Sequence, residues 1–464
     1  MYASSLIEAV RCHLGEGGSP VSPAGAASLR EVLEVKLTDR RKPRGIRHRL
    51  SLLVSVLVAG LACGYSSVLA VAQAAAGWDP DVLAAHGVRR NPVTGAHEVP
   101  SASTLGRVPA LLDADELEAG LTAWVAPAAL DPHLTARAAA RRPGGKEGGK
   151  KKDGRRRRKP PAAQALRETR EDGWFRAAAG HPWLDPAVTG GPRHVPARPA
   201  VAVDGKERKR AKAGGKKKVH LLAAVTHATG LVIGQDRVAK SGKASEITHF
   251  KPLLDPLPLD GVVITADAMQ TQREHARWLI QDKRAQYLLP ALGNQPGLYA
   301  ALDGLDWENT PVAAATSEIT RGRIETRTIR VLPAPQGLDF PYAGQAILIE
   351  RYVTVMKNGT WVMRNCEAVL YITSLTAADA TPEDLLAFIR GHWTVEHLHW
   401  LRDVVWREDQ SLLRTGNAPQ VMSALTNLVI TLFRIQGVTR YAEETRRNAQ
   451  NPRRALRLFA LSPG

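Results

Sequence analysis

The chain has 464 residues, of which 63 are Lys or Arg and 45 are Asp or Glu, so its formal net charge is +18. A hydrophobic fraction of 44% and a charged fraction of 23% are ordinary for a globular protein and exclude a wholly disordered or fibrous chain. The 3 cysteines are far apart in the sequence and cannot build a disulfide framework or a cysteine zinc site, so a cytoplasmic protein is expected. The length predicts about two or three domains.

The positive charge is concentrated in two tracts of the sequence. Eleven basic and two acidic residues lie between Arg141 and Lys159, and eight basic residues and one acidic residue lie between Lys206 and Lys218. Such tracts favour a polyanionic partner, because neutralising phosphates releases condensed counterions. A solvated, flexible insertion with glycine spacers is the alternative for both tracts.

The N-terminal part of the sequence predicts helices. No charged residue occurs from Leu50 to Trp78, a length that could span a bilayer. Interruption by Gly and Ser instead favours two short buried helices, at 51–62 and 66–76, and no membrane partner is expected.

A further helix is predicted at 113–124, where Asp113 and Glu116 resemble a capping box. The preceding residues 100–104, which are Pro, Ser, Ala, Ser and Thr, predict a loop.

From residue 198 onward the pattern changes to that of a mixed α/β sheet. Two apolar runs end in an acid, the first at Asp204 and the second at Asp267. The other predicted elements are strands at 220–226, 231–238 and 285–291 and helices at 245–254 and 271–283.

The next region is predicted to be β-rich and the last to be helical. Strands are expected at 323–332, 345–356 and 361–374, the last two joined by an Asn358-Gly359 turn, which is a strong hairpin signal. Helices are then expected from Thr381-Pro382 past Glu396, and from about 419 to 436.

The sequence thus predicts five segments. They are a helical N-terminal domain (1–130), a basic linker or insertion (131–197), the first part of an α/β core (198–310), a β-rich insertion (311–376) and a helical C-terminal part of the core (377–464).

Three acids in this arrangement predict a catalytic site. Asp204 and Asp267 follow strands of one sheet, and Glu396 lies on a later helix that can pack beside them. Converging carboxylates stay ionised only if cations neutralise them, and Mg²⁺ is the usual hard cation for oxygen ligands. Two such ions about 4 Å apart can activate an attacking oxygen and stabilise a leaving one in phosphoryl transfer. A turn-forming role is the alternative for each acid alone.

Short motifs follow one another in a fixed order along residues 36–460. They are Ala202-Val203-Asp204-Gly205-Lys206, Val219-His220-Leu221-Leu222-Ala223-Ala224, Thr265-Ala266-Asp267-Ala268, Gly293-Asn294-Gln295-Pro296, Gly322-Arg323-Ile324-Glu325-Thr326-Arg327, Tyr371-Ile372-Thr373-Ser374-Leu375, Arg390-Gly391-His392-Trp393, Glu396, His399-Trp400, Asp403-Val404, Glu408-Asp409 and Arg414-Thr415-Gly416. Together they resemble the DDE transposases of bacterial insertion sequences, in the group called H-repeat-associated transposases.

This resemblance implies an RNase H-like catalytic core with a β-rich insertion, preceded by a helical associated domain. It implies that Asp204, Asp267 and Glu396 are the catalytic and metal-binding triad for two Mg²⁺ ions, with Mn²⁺ as a substitute. The implied reaction is cut-and-paste transposition, in which water and then a DNA 3′ hydroxyl attacks a phosphodiester. The implied partners are double-stranded DNA, as terminal inverted repeats and target, and a second copy of the chain in a homodimeric synaptic complex on the nucleoid.

Seven further residues are candidate DNA contacts: Lys206, Asn294, Gln295, Arg323, Arg327, His392 and His399. Arg323 and Arg327 share one strand face, which could equally be a solvated face. Asn294 and Gln295 could instead order the site or form a polar turn. Trp393 and Trp400, seven residues apart, are predicted to pack in the core or in an interface.

Two departures from the family pattern keep other functions open. Leu292 stands where the family usually has Lys, and Arg321 stands where it usually has His. A catalytically inactive, domesticated DNA-binding protein is therefore the alternative. An RNase H-like nuclease acting on RNA–DNA hybrids or junctions is a third hypothesis.

Overall fold

A computed structural model of the chain describes residues 37–131 except 43 and 45, 194–213, 217–238, 243–320, 323–357 and 360–459. The described residues divide into two compact units. The first contains 37–131, 199–262 and 392–459, and the second contains 194–198 and 263–391. The basic tract at 141–159, most of the predicted linker, the Asn358-Gly359 turn and Arg321 lie outside the described residues.

The N-terminal part of the first unit is helical, and capping residues mark where its helices begin. The two predicted apolar helices are confirmed as α1 (Leu50–Ala62) and α2 (Val68–Ala76). Between them Gly64 adopts a φ of 84°, a conformation that glycine reaches without steric cost. The Ser67 hydroxyl then caps α2 by accepting a hydrogen bond from the Ala70 N–H. Three more helices follow, α3 (Pro80–Ala85), α4 (Ala102–Leu111) and α5 (Ala114–Ala129).

Caps also decide where α4 and α5 begin. The predicted start of α5 is confirmed, because Asp113 Oδ1 accepts from the N–H groups of Asp115 (3.0 Å) and Glu116 (3.2 Å). The helix continues beyond its predicted end, to Ala129. The loop predicted at 100–104 is wrong, since α4 begins at Ala102. The Ser101 hydroxyl accepts from the Thr104 N–H and supplies the cap that starts this helix.

Three antiparallel strands of the first unit follow, in the order β3-β2-β1. They are β1 (Ala200–Ala213), β2 (Lys217–Thr226) and β3 (Val232–Val238). The prediction that Asp204 ends its strand is wrong, because β1 continues into the basic tract and Asp204 pairs with Ala223 inside the ladder. Asp204, Lys206 and Arg208 occupy alternate positions of β1, so their side chains share one face of the strand.

Helix α6 (Lys243–Leu254) packs on β2 and β3. It contributes two acid–imidazole contacts, Glu246 Oε1 to His220 Nε2 at 2.8 Å and His249 Nδ1 to Asp236 Oδ2 at 2.6 Å. These paired polar groups therefore fix α6 to the sheet in addition to its apolar contacts.

The second unit is built on a six-stranded mixed sheet in the order β4-β5-β9-β8-β7-β6. β4 and β5 are parallel and the other neighbours are antiparallel. The strands are β4 (Val263–Ala266), β5 (Gln286–Ala291), β6 (Ala314–Thr320), β7 (Arg323–Pro333), β8 (Gln345–Lys357) and β9 (Thr360–Thr373). The predicted β-rich region is thus confirmed, with β6 as a strand that was not predicted separately.

Three helices accompany this sheet, α7 (Arg273–Gln281), α8 (Pro296–Asp303) and α9 (Pro382–Gly391). α7 packs on β5, and α9 packs on β6 and β7. Thr381 caps α9 by accepting from the Asp384 N–H at 3.2 Å, as the Thr-Pro sequence predicted.

The chain then returns to the first unit as α10 (Trp393–Val404), α11 (Ala418–Ile435), α12 (Tyr441–Gln450) and α13 (Arg453–Leu456). The predicted long helix around Glu396 is interrupted at His392, and α11 is confirmed close to its predicted bounds. Within the described ranges, α11 is one helix long and apolar enough to cross a membrane, but 89% of it is buried. It packs against α1, α4 and α5 and forms the core of this unit.

Candidate active site

Asp204 lies on the face of β1 that α10 covers. α10 packs on β1 and β2, and His399 of α10 places its Nδ1 3.5 Å from Asp204 Oδ2. This distance is longer than a normal hydrogen bond, so the two groups are in contact without a strong bond. The Asp204 side chain is 23% exposed, so its carboxylate is accessible to solvent.

Glu396 lies on α10 and is exposed. It precedes His399 by three residues, and residues at this spacing are neighbours on a helix surface. Glu396 therefore lies one helical turn before the residue of α10 that contacts Asp204.

Asp267 lies in the second unit, directly after β4, as predicted. Its Oδ1 accepts from the Met269 N–H at 3.0 Å and starts a short 3₁₀-helix, Ala268–Gln270. The side chain therefore has the turn-forming contact that acids at strand ends commonly make.

Asn294 and Gln295 hold the segment that follows Asp267. Asn294 Nδ2 donates to the Ala268 carbonyl at 2.6 Å, and Gln295 Nε2 donates to Gln272 Oε1 at 3.3 Å. These contacts support the alternative that Asn294 and Gln295 order the site, here the part of it that belongs to the second unit.

The donor chemistry of the acids fits a hard divalent cation. No group of three or more His, Cys, Asp or Glu side chains that could hold a metal is found among the residues that the structure describes. Asp204 and Glu396 nevertheless offer carboxylate oxygens, which Mg²⁺ prefers. Burial, with the charges of Arg402 and Lys206, lowers the pKa of His399 to about 3, so this imidazole is neutral at pH 7 and does not neutralise Asp204.

Lys206, a candidate DNA contact, is engaged inside the protein. Its Nζ lies 2.7 Å from Asp403 Oδ2, and its side chain is only 9% exposed. Asp403 belongs to one of the family motifs, but no role was predicted for it. The signal that could have found it is the spacing of four residues from His399, which puts both side chains on one face of α10.

Three more polar residues that contact one another, Arg208, Arg402 and Glu408, were not predicted as part of the site. Arg402 donates to both carboxylate oxygens of Glu408 at 2.9 Å, and Arg208 Nη2 donates to the Glu408 carbonyl at 3.2 Å. Burial opposes ionisation of Glu408, but the charges of Arg402 and Arg208 outweigh it and lower the pKa of Glu408 to about 2. Glu408 is therefore a buried acid that is charged at pH 7 and paired with two arginines.

Arg323 and Arg327 belong to an ion-pair cluster on β7. Both contact Glu325, which also accepts from Arg351 Nε at 2.8 Å. The Arg323 side chain is 48% exposed, whereas that of Arg327 is 7% exposed. Burial raises the pKa of Glu325, but the neighbouring arginines lower it by more than burial raises it. The net pKa is below the usual value for a Glu side chain, so this acid is charged. Arg323 is the more accessible of the two to a phosphate.

The remaining predicted residues lie at the start and along the exposed side of α10. His392 directly precedes the helix. Trp393 and Trp400 are 47% and 53% exposed, so the core alternative is wrong, and packing in an interface stays a prediction. Trp400 stacks on His397 with ring centroids 5.8 Å apart.

Comparison with known proteins assigns the family. Residues 195–432 match the model described as "Transposase DDE domain", and residues 32–125 match the model of the domain associated with it. The first match covers more than half of the chain. The chain therefore belongs to the DDE transposase family, whose members are proteins of mobile elements.

Individual relatives agree with this assignment. YncI of Escherichia coli O157:H7, provisionally named a transposase, is 33% identical over 247 residues, which are 50% of this chain and 61% of YncI. The H repeat-associated protein YhhI of Escherichia coli strain K12, with the same provisional name, is 32% identical over 243 residues, which are 50% of this chain and 63% of YhhI. The chain thus spans about three fifths of the length of these relatives.

Among solved structures, a piggyBac transposase synaptic complex with hairpin DNA is similar at a TM-score of 0.34 and 9% identity, covering 100% of this chain and 80% of that one. A similarity of this size is too weak to define the fold.

Proposed function

We propose that this chain is a DDE transposase that cuts and joins DNA strands with the help of divalent metal ions. The observation that carries the proposal is the contact of Asp204 with His399, because it joins β1 to the helix that presents Glu396 one turn away. An RNase H-like arrangement of the catalytic core, with Asp267 as the third acid, completes the proposal.

In this proposal Asp204, Asp267 and Glu396 bind two Mg²⁺ ions. When bound, such ions activate the attacking oxygen and stabilise the leaving oxygen of the phosphodiester. The acids of this chain hold and orient the reactants, and they form no covalent bond to DNA. The neutral imidazole of His399 packs beside Asp204 and limits water on that side.

The proposed substrate is double-stranded DNA with terminal inverted repeats. A net charge of +18 supports a polyanionic partner, and Arg323 is a candidate phosphate contact because it is half exposed. Because two transposon ends must be brought together, we propose that the active form is a homodimer. The proposed location is the cytoplasm, on the nucleoid.

The experiment uses the full-length protein, labelled DNA carrying the element's terminal repeats, and Mg²⁺ or Mn²⁺. We expect strand nicking that Asp204→Asn, Asp267→Asn and Glu396→Gln each abolish while DNA binding persists. Glu274→Gln, which changes an acid that is 73% exposed on α7, is the matched control and should cleave normally. Undiminished nicking by the three triad variants would refute the assignment.

The second candidate function is that of a catalytically inactive, domesticated DNA-binding protein. Leu292 supports it, because an apolar side chain that is 41% exposed stands where the family usually has Lys. The same assay separates the two functions. Tight, metal-independent binding by the unmutated protein without any nicking favours the second.

A further inference from the structure

Alternate residues of β1 face α10 and the segment after it, and each has a partner there. Asp204 contacts His399 at 3.5 Å, Lys206 contacts Asp403 at 2.7 Å, and Arg208 Nε lies 3.8 Å from Glu408 Oε1. We call these three contacts the β1–α10 ladder.

The spacing of the first two contacts matches on both elements. Residues i and i+2 of a strand are separated by about 6.6 Å. Residues i and i+4 of a helix are separated by about 6 Å along the axis. Asp204 and Lys206 can therefore meet His399 and Asp403 together only at one position of α10 along β1. A slide of the helix would break both contacts.

The Lys206–Asp403 contact is the stronger of the two. It joins opposite charges at hydrogen-bond distance, with Lys206 9% exposed and Asp403 33% exposed, so water screens it only in part. The Asp204–His399 contact is 3.5 Å long, which exceeds the length of a normal hydrogen bond. The charged pair therefore determines the position of the helix next to Asp204.

The third contact holds the far end of the ladder. Arg208 is 2% exposed, and Glu408 is fixed from the other side by the two hydrogen bonds from Arg402 of α10. The backbone of Arg407 adopts a φ of 51°, which turns the chain so that Glu408 returns toward the sheet. Because this end is held independently, a change at Lys206 or Asp403 should alter the Asp204 end without unfolding the unit.

We infer that Lys206 and Asp403 are positioning residues, which set the distance between the Asp204 and Glu396 carboxylates and thereby the affinity of the metal site. This inference rests on the proposed function. Glu396 precedes Asp403 by seven residues, or two helical turns, so a shift at Asp403 moves Glu396 relative to β1. Lys206 is then not a DNA contact, in contrast to the expectation from its basic tract.

The test measures Mn²⁺ binding to the full-length protein by isothermal titration calorimetry without DNA. We expect Lys206→Met and Asp403→Asn each to raise the Kd for Mn²⁺ by about tenfold, as loss of a residue supporting a metal ligand commonly does. The double variant should be no weaker than either single variant, since both remove the same contact. Arg447→Met and Glu443→Gln remove a more exposed ion pair on α12 of the same unit and should leave the Kd unchanged.

DNA binding at several salt concentrations separates the inference from its rival. If Lys206 and Asp403 have a positioning role, the unmutated protein, Lys206→Met and Asp403→Asn should bind DNA with the same affinity and the same salt dependence. If Lys206→Met weakens DNA binding and lowers the salt slope by about one while Asp403→Asn does not, Lys206 is a phosphate contact and the inference is overturned.

Two further outcomes of the Mn²⁺ titration can be told apart. Unchanged Mn²⁺ binding by both single variants overturns the positioning role alone. Absence of Mn²⁺ binding by the unmutated protein overturns the proposed metal-dependent function and this inference with it. If Lys206→Met fails to fold, Lys206→Arg keeps the charge but changes its geometry, and it should raise the Mn²⁺ Kd in the same direction.

Discussion

The indole Nε1 of Trp406 donates a hydrogen bond of 2.9 Å to the backbone carbonyl of Leu61, across 345 residues of sequence. Trp406 is 2% exposed, and Leu61 is the second-last residue of α1. Asn448 makes a similar contact, donating from Nδ2 to the Ala62 carbonyl at 3.1 Å. The end of α1 is therefore held by residues that follow the proposed catalytic helix, and the associated domain and the C-terminal helices share one core.

Replacing Trp406 by Phe should lower the free energy of unfolding by about 1–3 kcal/mol, because the Leu61 carbonyl remains buried and loses its donor. Urea denaturation of the full-length protein, followed by circular dichroism, measures this change. Trp400→Phe is the matched control, since Trp400 is 53% exposed, and it should change the stability by less than about 0.5 kcal/mol. Equal effects of the two substitutions would contradict the importance of the hydrogen bond.

Most elements of the fold could be predicted from the sequence because they carry local signals. The apolar run broken at Gly64 predicted α1 and α2, and the Thr381-Pro382 start predicted α9. The start of α4 was missed because Ser101 is equally compatible with a turn and with a helix cap. The continuation of β1 past Asp204 was missed because its basic residues have low strand propensity by themselves. Tertiary pairing with β2 supplies the stabilisation that the local sequence lacks.

Gly205 is predicted to be required by packing, since an added Cβ would lie 2.4 Å from His220 Nε2 and 2.5 Å from Glu246 Oε2. Gly205→Ala must therefore displace the His220–Glu246 pair or β1 itself. We expect the free energy of unfolding to fall by about 1–3 kcal/mol. Thermal or urea unfolding measures it.

Gly106→Ala is the control for that substitution. Gly106 lies within α4 with nothing within 4 Å of an added Cβ, so alanine should stabilise the protein by about 0.5–1 kcal/mol. A Gly205→Ala protein as stable as the Gly106→Ala protein would show that the pair moves aside without cost.

Glu408 should make the protein sensitive to acid. Its pKa is lowered from 4.5 to about 2 in the folded protein, so its ionised form stabilises the fold above about pH 4.5. This contribution is lost progressively as the pH falls from about 4.5 to about 2. Glu408→Gln should lower the free energy of unfolding at pH 7 by about 3 kcal/mol, because Arg208 and Arg402 are left buried without their partner.

The measurement is urea denaturation at several pH values between 7 and the acid limit of folding. The unmutated protein should lose stability through this range more steeply than Glu408→Gln. Glu443→Gln, at an ion pair that is more exposed, should change the stability by about 0.5 kcal/mol or less and keep the unmutated pH dependence. A Glu408→Gln protein with the unmutated pH profile would contradict the assignment.

The candidate site could be predicted only in part, and the reason is physical. Asp204 and Glu396 were predicted as site residues because acids at an expected strand end and on a later helix suggest metal binding and match the family motifs. The contacts of Asp403 and Glu408 could not be predicted, since nothing in the local sequence shows that Lys206 and Arg208 of a distant strand meet them. The basic tract containing Lys206 and Arg208 suggested DNA, but these two cations are used inside the protein.

Asn294 is predicted to control the geometry of the turn that presents Asp267. Its Nδ2 donates to the Ala268 carbonyl at 2.6 Å, and the same turn is fixed by the Asp267 Oδ1 contact with the Met269 N–H. Asn294→Ala removes one exposed hydrogen bond, so it should lower the free energy of unfolding by about 1 kcal/mol or less. If Asp267 binds metal as proposed, freeing its turn should reduce the rate of DNA nicking by about 10–100-fold, as loss of a supporting residue does at metal sites.

Asn309→Ala, which removes an exposed amide bound to Asp306, is the matched control and should nick DNA at the unmutated rate. Equal nicking rates for the two alanine variants would show that Asn294 does not act through Asp267.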